Sequence, residues 1–118
     1  MNVVVDTNIL IDLLRGREQA RSVLRRHRRQ AISVVTRTEL LSGPPDDMKK
    51  VRDLLEGLEV EPIDDDVAEA AAVIRREHRL KLPDAVILAT ARVRGVPLLT
   101  RNTHDFDGLE GVEIPYRL

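Results

Sequence analysis

The sequence has no cysteine and no tryptophan, and its only aromatic residues are one phenylalanine and one tyrosine. The absence of cysteine excludes disulfides, thiolate metal sites and cysteine nucleophiles, and it fits a reducing cytoplasm. Because Phe106 and Tyr116 are the only aromatic side chains, extensive stacking on nucleic-acid bases is not expected. The three histidines are scattered and show none of the paired spacings that are typical of zinc sites. Zinc fingers and thiol catalysis are therefore excluded.

Long hydrophobic runs are also missing from the chain. The longest, residues 3–5 and 85–91, fall far short of the roughly 18 to 20 apolar residues that a membrane span requires. No basic-then-apolar signal segment opens the sequence. We therefore expect a soluble protein located in the cytoplasm.

Neither sign of charge dominates, because 19 Lys and Arg residues stand against 20 Asp and Glu residues, for a net charge of −1. Binding to nucleic acid would therefore depend on local basic patches and not on a global attraction. The sequence also lacks a Gly-x-Ser-x-Gly motif, a glycine-rich phosphate loop and a dinucleotide fingerprint. Serine-hydrolase chemistry and nucleotide cofactors have no support.

The length and the pattern of the chain predict one α/β domain over residues 1–118. A chain of this length buries enough apolar surface to hold a core without disulfides or a cofactor. Short β-branched runs alternate with helical patterns, which predicts a three-layer α/β/α sandwich with a central parallel sheet. The predicted strands are residues 2–5, 31–34, 60–63, 98–100 and 112–116. The predicted helices are residues 9–15, 18–27, 36–41, 46–58, 65–78 and 83–94, the last being apolar nearly all round and so the most buried.

Four acidic residues, Asp6, Glu39, Asp84 and Asp105, lie near predicted strand ends or helix starts. Ligand crevices of parallel α/β sheets lie beyond the carboxyl ends of the strands. Several carboxylates gathered there would repel and raise one another's pKa unless a cation neutralised them. Mg²⁺ or Mn²⁺ prefers oxygen ligands, so acids without cysteine or clustered histidine suit such an ion. We therefore expect a divalent-metal site.

Each acid also has an ordinary structural interpretation, which remains open at this point. Asp6 could cap the first helix, and Glu39 could form a capping box with Thr36. Asp84 lies in a first helical turn, where acids favour the helix dipole, and Asp105 could shape a turn. Only the four together favour the metal site.

Four segments of the chain resemble the conserved blocks of PIN domains, and most of all those of the VapC toxins of bacterial and archaeal toxin–antitoxin pairs. The resemblance runs in order over essentially the whole chain. The matching segments are residues 4–10 (VVDTNIL), 38–43 (TELLSG), 83–91 (PDAVILATA) and 99–106 (LTRNTHDF).

The resemblance implies a metal-dependent endoribonuclease that hydrolyses RNA phosphodiester bonds with a metal-activated water and leaves 5′-phosphate and 3′-hydroxyl ends. It implies that one or two Mg²⁺ or Mn²⁺ ions are held by Asp6, Glu39, Asp84 and Asp105, with Asp107 as an alternative fourth acid. The supporting polar groups that it implies are Thr7, Asn8, Thr100 and Asn102. It also implies a homodimer and a small VapB-like antitoxin as partner.

Three arginines, Arg92, Arg94 and Arg101, are predicted contacts for RNA phosphates, although a solvated charged face would explain each of them equally well. Two other functions remain open. One is a catalytically silent PIN-like module that binds RNA or another protein. The other is a receiver-like phospho-acceptor domain, for which Asp64 after the third predicted strand is the sole favourable feature.

Overall fold

The computed structural model describes residues 2–118 and contains one sheet of five short parallel strands in the order β3-β2-β1-β4-β5. Met1, which the predicted domain includes, lies outside the described residues. The predicted three-layer sandwich with a central parallel sheet is confirmed. The strands are β1 (Val3–Val5), β2 (Gln30–Ser33), β3 (Glu59–Glu61), β4 (Leu98–Leu99) and β5 (Val112–Glu113).

Seven α-helices and one 3-10 turn connect the strands within residues 2–118. The helices are α1 (Thr7–Leu14), α2 (Glu18–Arg25), α3 (Val34–Leu41), α4 (Met48–Glu56), α5 (Asp65–His78), α6 (Leu82–Arg94) and α7 (Thr103–Phe106), and the 3-10 turn is Pro45–Asp47. Asp64 caps α5, because its Oδ1 accepts a hydrogen bond of 2.9 Å from the Val67 N–H. Gly95 ends α6 in the left-handed conformation with φ of 72°.

Alternate residues of the strands face two separate apolar layers. Val4 packs with α5 and α6 on one side of the sheet. Val3 and Val5 pack with α1, α2 and α4 on the other side. This alternation follows from the two-residue period of a strand, and it holds the carboxyl ends of the strands in a fixed frame.

Helix α6 is the most buried helix, as predicted, because seven consecutive residues from Ala85 to Ala91 are buried. It packs chiefly against α5 and also against β1, β2 and β4. In the described part of the chain, no helix combines the length and the apolar character needed to cross a membrane.

Several local predictions were wrong. Strands β3 and β5 end at Glu61 and Glu113, not at residues 63 and 116. Helix α3 begins at Val34, not at residue 36, because Ser33 caps it through a 3.0 Å hydrogen bond from the Val35 N–H. The β-branched pair Val34 and Val35 favours a strand in isolation, and the cap overrides that preference. Helix α1 likewise begins two residues earlier than predicted, directly after Asp6. Residues 103–106 form α7 where only a turn was predicted.

Candidate metal centre

The strand order places a crevice between β1 and β4. Strand β1 pairs with β2 on one side and with β4 on the other, so the connections leave it in opposite directions. Such a switch point is where open parallel sheets bind ligands, outside the carboxyl ends of the strands. Asp6 directly follows β1 and Thr100 directly follows β4. A receiver domain has its switch point between the first and third strands of the order 2-1-3-4-5, so this sheet contradicts the receiver-like alternative.

The Asp6 carboxylate is buried and fully engaged. Asp6 is only 5% exposed to solvent. Oδ1 accepts from the Thr7 N–H at 2.7 Å, and Oδ2 accepts from Thr100 Oγ1 at 2.7 Å and Asn8 Nδ2 at 3.2 Å. Burial raises the pKa of Asp6 from 3.8 to about 6, against the lowering effect of these hydrogen bonds. Asp6 is thus the cap of α1, and it is also a carboxyl group whose ionised form is disfavoured by burial.

Glu39 reaches the same crevice from α3. The Thr7 hydroxyl lies 2.6 Å from Glu39 Oε1 and 3.0 Å from Thr36 Oγ1. Glu39 is close enough to Asp6 for its negative charge to contribute to the raised Asp6 pKa. The capping box considered from the sequence is wrong, because Thr36 is buried inside α3 and is not its cap. Glu39 is left free to act toward the crevice.

The other two acids are Asp84 and Asp105, which together with Asp6 and Glu39 are called the cluster. Asp84 is in the first turn of α6 and Asp105 is in α7. Burial raises the pKa of the Asp84 carboxyl, and the negative charges of Asp105 and Glu39 raise it further. Asp107 is exposed at the end of α7 and does not contribute to this effect. Of the two candidate fourth acids, the structure brings Asp105 to the cluster.

The four predicted supporting residues form hydrogen bonds with three of these acids, Asp6, Glu39 and Asp105. Asn102 Nδ2 donates to Asp105 Oδ2 at 2.8 Å, while Asn102 Oδ1 accepts from the Asp105 N–H at 3.1 Å. Thr100 Oγ1 accepts from the Asn102 N–H at 3.1 Å and from Asn8 Nδ2 at 3.2 Å. One network of hydrogen bonds therefore joins Asp6 to Asp105.

Sequence reasoning missed a buried carboxylate behind this network. Asp12 of α1 is 0% exposed and accepts from Arg101 Nη2 at 3.0 Å and from Tyr116 Oη at 2.7 Å. Burial alone would raise the pKa of Asp12, but these hydrogen bonds and the nearby positive charges of Arg101 and Arg17 lower it below its usual value. The available signal was a single acid inside the apolar run ILIDLL, four residues after Asn8.

The predicted phosphate contacts are not gathered at the cluster. Arg92 donates to the Glu110 carbonyl and Arg94 donates to Glu61 Oε2 at 2.6 Å, both from the last turn of α6. Asp84 begins the same helix, so these arginines lie roughly 12 to 15 Å farther along its axis. Arg101 is close to the site but is bound to Asp12. The site therefore has no free arginine among the three predicted.

The profile of the PIN domain matches residues 3–111 of this sequence. The chain belongs to the PIN-domain family. This PIN domain is 35% identical to Ribonuclease VapC10 of Mycobacterium tuberculosis (strain ATCC 25618 / H37Rv) over 97% of its length and 92% of the relative. It also resembles the toxin–antitoxin complex from Klebsiella pneumoniae, with 41% identity and a TM-score of 0.93 over 99% of this chain and 100% of the other. The DNA-bound VapBC of Salmonella typhimurium, at 24% identity and a TM-score of 0.85, shares the fold. These matches identify the PIN domain as VapC-like.

The donor set of this PIN domain fits a hard divalent cation. The four acids offer carboxylate oxygens, and Asp6 and Asp84 carry raised pKa values that a cation would lower. Among residues 2–118, no three His, Asp or Glu side chains are arranged as a ready-made metal cage. Mg²⁺ usually takes one or two carboxylates and completes its shell with water and substrate phosphates, so an open arrangement suits it.

Proposed function

We propose that this chain is a Mg²⁺- or Mn²⁺-dependent endoribonuclease of the cytoplasm and the toxin of a toxin–antitoxin pair. The observation that supports the proposal is that four carboxylates lie close enough to affect one another: burial, with the charges of Asp84 and Glu39, raises the pKa of Asp6, and burial, with the charges of Asp105 and Glu39, raises the pKa of Asp84. The names of the similar proteins, a ribonuclease and a toxin–antitoxin complex, support it.

The metal would be held by Asp6, Glu39, Asp84 and Asp105. A bound Mg²⁺ or Mn²⁺ would supply a water of lowered pKa and neutralise charge on the phosphate oxygens. Water would attack the phosphorus while the P–O3′ bond breaks, so that the 3′-oxygen leaves as a hydroxyl and the phosphate stays on the 5′-oxygen; the ribose 2′-hydroxyl takes no part, and no cyclic phosphate forms. The remaining requirement is that the acids stay ionised and correctly oriented.

The polar neighbours of the acids meet that requirement. Thr100 and Asn8 both donate to Asp6 Oδ2, which stabilises the ionised form of Asp6 against the cost of burial. The Thr7 hydroxyl orients Glu39, and Asn102 orients Asp105. Each acid except Asp84 is therefore fixed by a hydrogen bond from a side chain within the site.

A groove beside the cluster is the proposed seat of the antitoxin. It has a volume of about 280 Å³ and borders Glu39. The apolar side chains that line it come from α1, α3 and α4 and are Ile11, Leu14, Leu40, Met48 and Val51. If an apolar segment of the antitoxin lay in this groove, an arginine next to that segment in the antitoxin sequence would reach the carboxylates. The opposite charges would favour this contact. We propose a small VapB-like antitoxin in this groove, and a homodimer of the toxin.

The function is tested with purified protein free of antitoxin. The wild type, Asp84→Asn and the matched control Asp107→Asn are each incubated with a mixed small-RNA pool in Mn²⁺, in Mg²⁺ and in EDTA, and the cut ends are mapped. We expect the wild type and Asp107→Asn to leave 5′-phosphate ends only with metal, and folded Asp84→Asn to leave none. Asp84→Asn should be as stable as the wild type or slightly more so, since it removes one of several repelling carboxylates.

Two outcomes would count against the proposal. Wild-type activity in a folded Asp84→Asn protein would remove Asp84 from the site. No cutting by any folded variant would favour the catalytically silent module, and its RNA binding would then be measured directly. Equal cutting by all three in EDTA would identify a contaminating ribonuclease.

A further inference from the structure

We infer that Asp12 is a positioning residue of the carboxylate site and acts on it through Arg101. The inference rests on the proposed function for its catalytic consequence and on the observed hydrogen bonds for its structural part. Asp12 itself touches no metal-site acid in the described structure. Its effect must therefore pass through its partners.

The burial of Asp12 is hard to explain by stability alone. A fully buried carboxylate loses its hydration, and the attraction of its ionic partners often does no more than offset that loss. Replacing such an ion pair as a whole by well-packed apolar residues is often neutral or stabilising. An acid that is nevertheless 0% exposed, with Arg101 and Tyr116 as donors and Arg17 at 3.6 Å, points to a requirement for fixed geometry.

Arg101 connects Asp12 to the site through its own main chain. The Arg101 side chain donates to the two Asp12 oxygens from Nε and Nη2, and this paired contact fixes the orientation of the guanidinium. The Arg101 backbone N–H donates to Asn8 Oδ1 at 3.3 Å. With its oxygen held in this way, the Asn8 amide turns its Nδ2 toward Asp6 and Thr100, at 3.2 Å from each acceptor.

Two points of attachment therefore join α1 to residues 100–102. Asn8 and Asp12 are four residues apart, so they lie on one face of α1, about 6 Å apart along its axis. Both bind Arg101, one through its backbone and the other through its side chain. Thr100 is also held by its own hydrogen bonds to Asp6 and Glu113, and the two bonds to Arg101 fix the direction of the chain directly after it.

A competing role for Arg101 is direct contact with an RNA phosphate, as predicted from the sequence. The two roles give opposite results when Asp12 is neutralised. If Arg101 binds phosphate, Asp12→Asn releases a 30%-exposed arginine toward RNA, and KM falls or stays the same while kcat is kept. If Asp12 positions the site, kcat and metal affinity fall while KM changes little.

The test compares Asp12→Asn and Arg101→Lys in the full chain with the control Glu61→Gln. The control breaks the ion pair of Glu61 with Arg94, in which Glu61 is 14% exposed, and touches no group of the site. Arg101→Lys keeps the charge but loses the paired contact, so it carries the test if Asp12→Asn does not fold. Three quantities are measured: hydrogen exchange of the Arg101 and Asn102 backbone amides, Mn²⁺ affinity, and kcat and KM on a cleaved RNA.

We expect Asp12→Asn to speed hydrogen exchange of the Arg101 and Asn102 amides at least tenfold. Mn²⁺ binding should weaken by about 10- to 100-fold and kcat should fall by about the same factor, while KM should stay within about threefold of the wild-type value. Glu61→Gln should match the wild type in all three. Wild-type exchange and Mn²⁺ affinity in folded Asp12→Asn would overturn the inference, as would a rise in KM alone in Arg101→Lys. If the wild type neither binds Mn²⁺ nor cleaves RNA, the proposed function fails, and amide exchange alone decides the role of Asp12.

Discussion

Replacing Asp6 by asparagine should stabilise the protein by an amount that grows with pH. The folded chain holds the Asp6 proton up to a pKa of about 6, against 3.8 for the ordinary carboxyl. A group whose pKa is raised on folding favours the folded state at low pH, and that advantage is lost as pH rises through the folded pKa. Asparagine cannot ionise, so Asp6→Asn escapes the loss.

The expected size follows from the two pKa values. Linkage gives a difference in the free energy of unfolding between variant and wild type that is below about 1 kcal/mol at pH 4, about 1 to 2 kcal/mol at pH 5 and about 3 kcal/mol at pH 7 and above. A pH-independent offset is added to this. The asparagine amide would occupy the place of Oδ2, where it faces the Asn8 Nδ2 donor, at a cost of about 1 kcal/mol.

The assay is urea unfolding of wild type, Asp6→Asn and the exposed control Asp107→Asn at pH 5, 6, 7 and 8. EDTA is present throughout, because a bound cation would stabilise the ionised form of Asp6 and hide the effect. The informative quantity is the change of the difference with pH, since the offset cancels. Asp107→Asn should differ from the wild type by a small amount that varies little with pH.

A difference between Asp6→Asn and wild type that stays constant from pH 5 to pH 8 would refute the reasoning. It would mean that the hydrogen bonds from Thr100 and Thr7 fully compensate burial, so that Asp6 ionises as an ordinary carboxyl. A difference that shrinks with rising pH would reverse the sign of the argument and show that the ionised form is the stabilised one.

Two further predictions concern the stability of the fold. Tyr116→Phe should lower the free energy of unfolding by about 1 to 2 kcal/mol, because the buried Asp12 loses one of its hydrogen-bond donors. Urea unfolding at pH 7 would measure this loss. An unchanged free energy of unfolding would show that Arg101 and Arg17 alone satisfy Asp12. Gly95→Ala should lower the free energy of unfolding by about 1 kcal/mol, because alanine disfavours the left-handed backbone conformation of this position. An added Cβ meets nothing within 4 Å, so no steric cost is expected. A larger loss in the same assay would reveal a steric contact that the structure does not show.

The sequence predicted the sheet and the position of Asp6 at the end of a strand because both depend on local rules. A run of three valines ending in Asp6 marks a buried strand with a polar end, and the parallel arrangement then places that end at a crevice. The apolar pattern of α6 predicted that this helix is the most buried one. Its sequence pattern is long, and packing does not override it.

The parts that the sequence did not predict depend on contacts between distant residues. Asp12 is read as an ordinary polar position of a short helix until Tyr116, 104 residues away, is known to reach it. Arg101 resembles a free basic residue for the same reason. Helix α7 is only four residues long, and its Asn102 cap could not be distinguished from a simple turn.

The Asp6–Thr100 hydrogen bond joins residues that are 94 positions apart in the chain. Strand β4, which carries Thr100 to β1, follows β1, β2, β3 and helices α1 to α6 in the order of the chain. A nascent chain that stops before residue 100 therefore has Asp6, Glu39 and Asp84 but neither the partner that orients Asp6 nor the fourth acid. Under the proposed function, a nascent chain is therefore not an assembled nuclease until residues 100–105 have been synthesised and have joined the earlier acids.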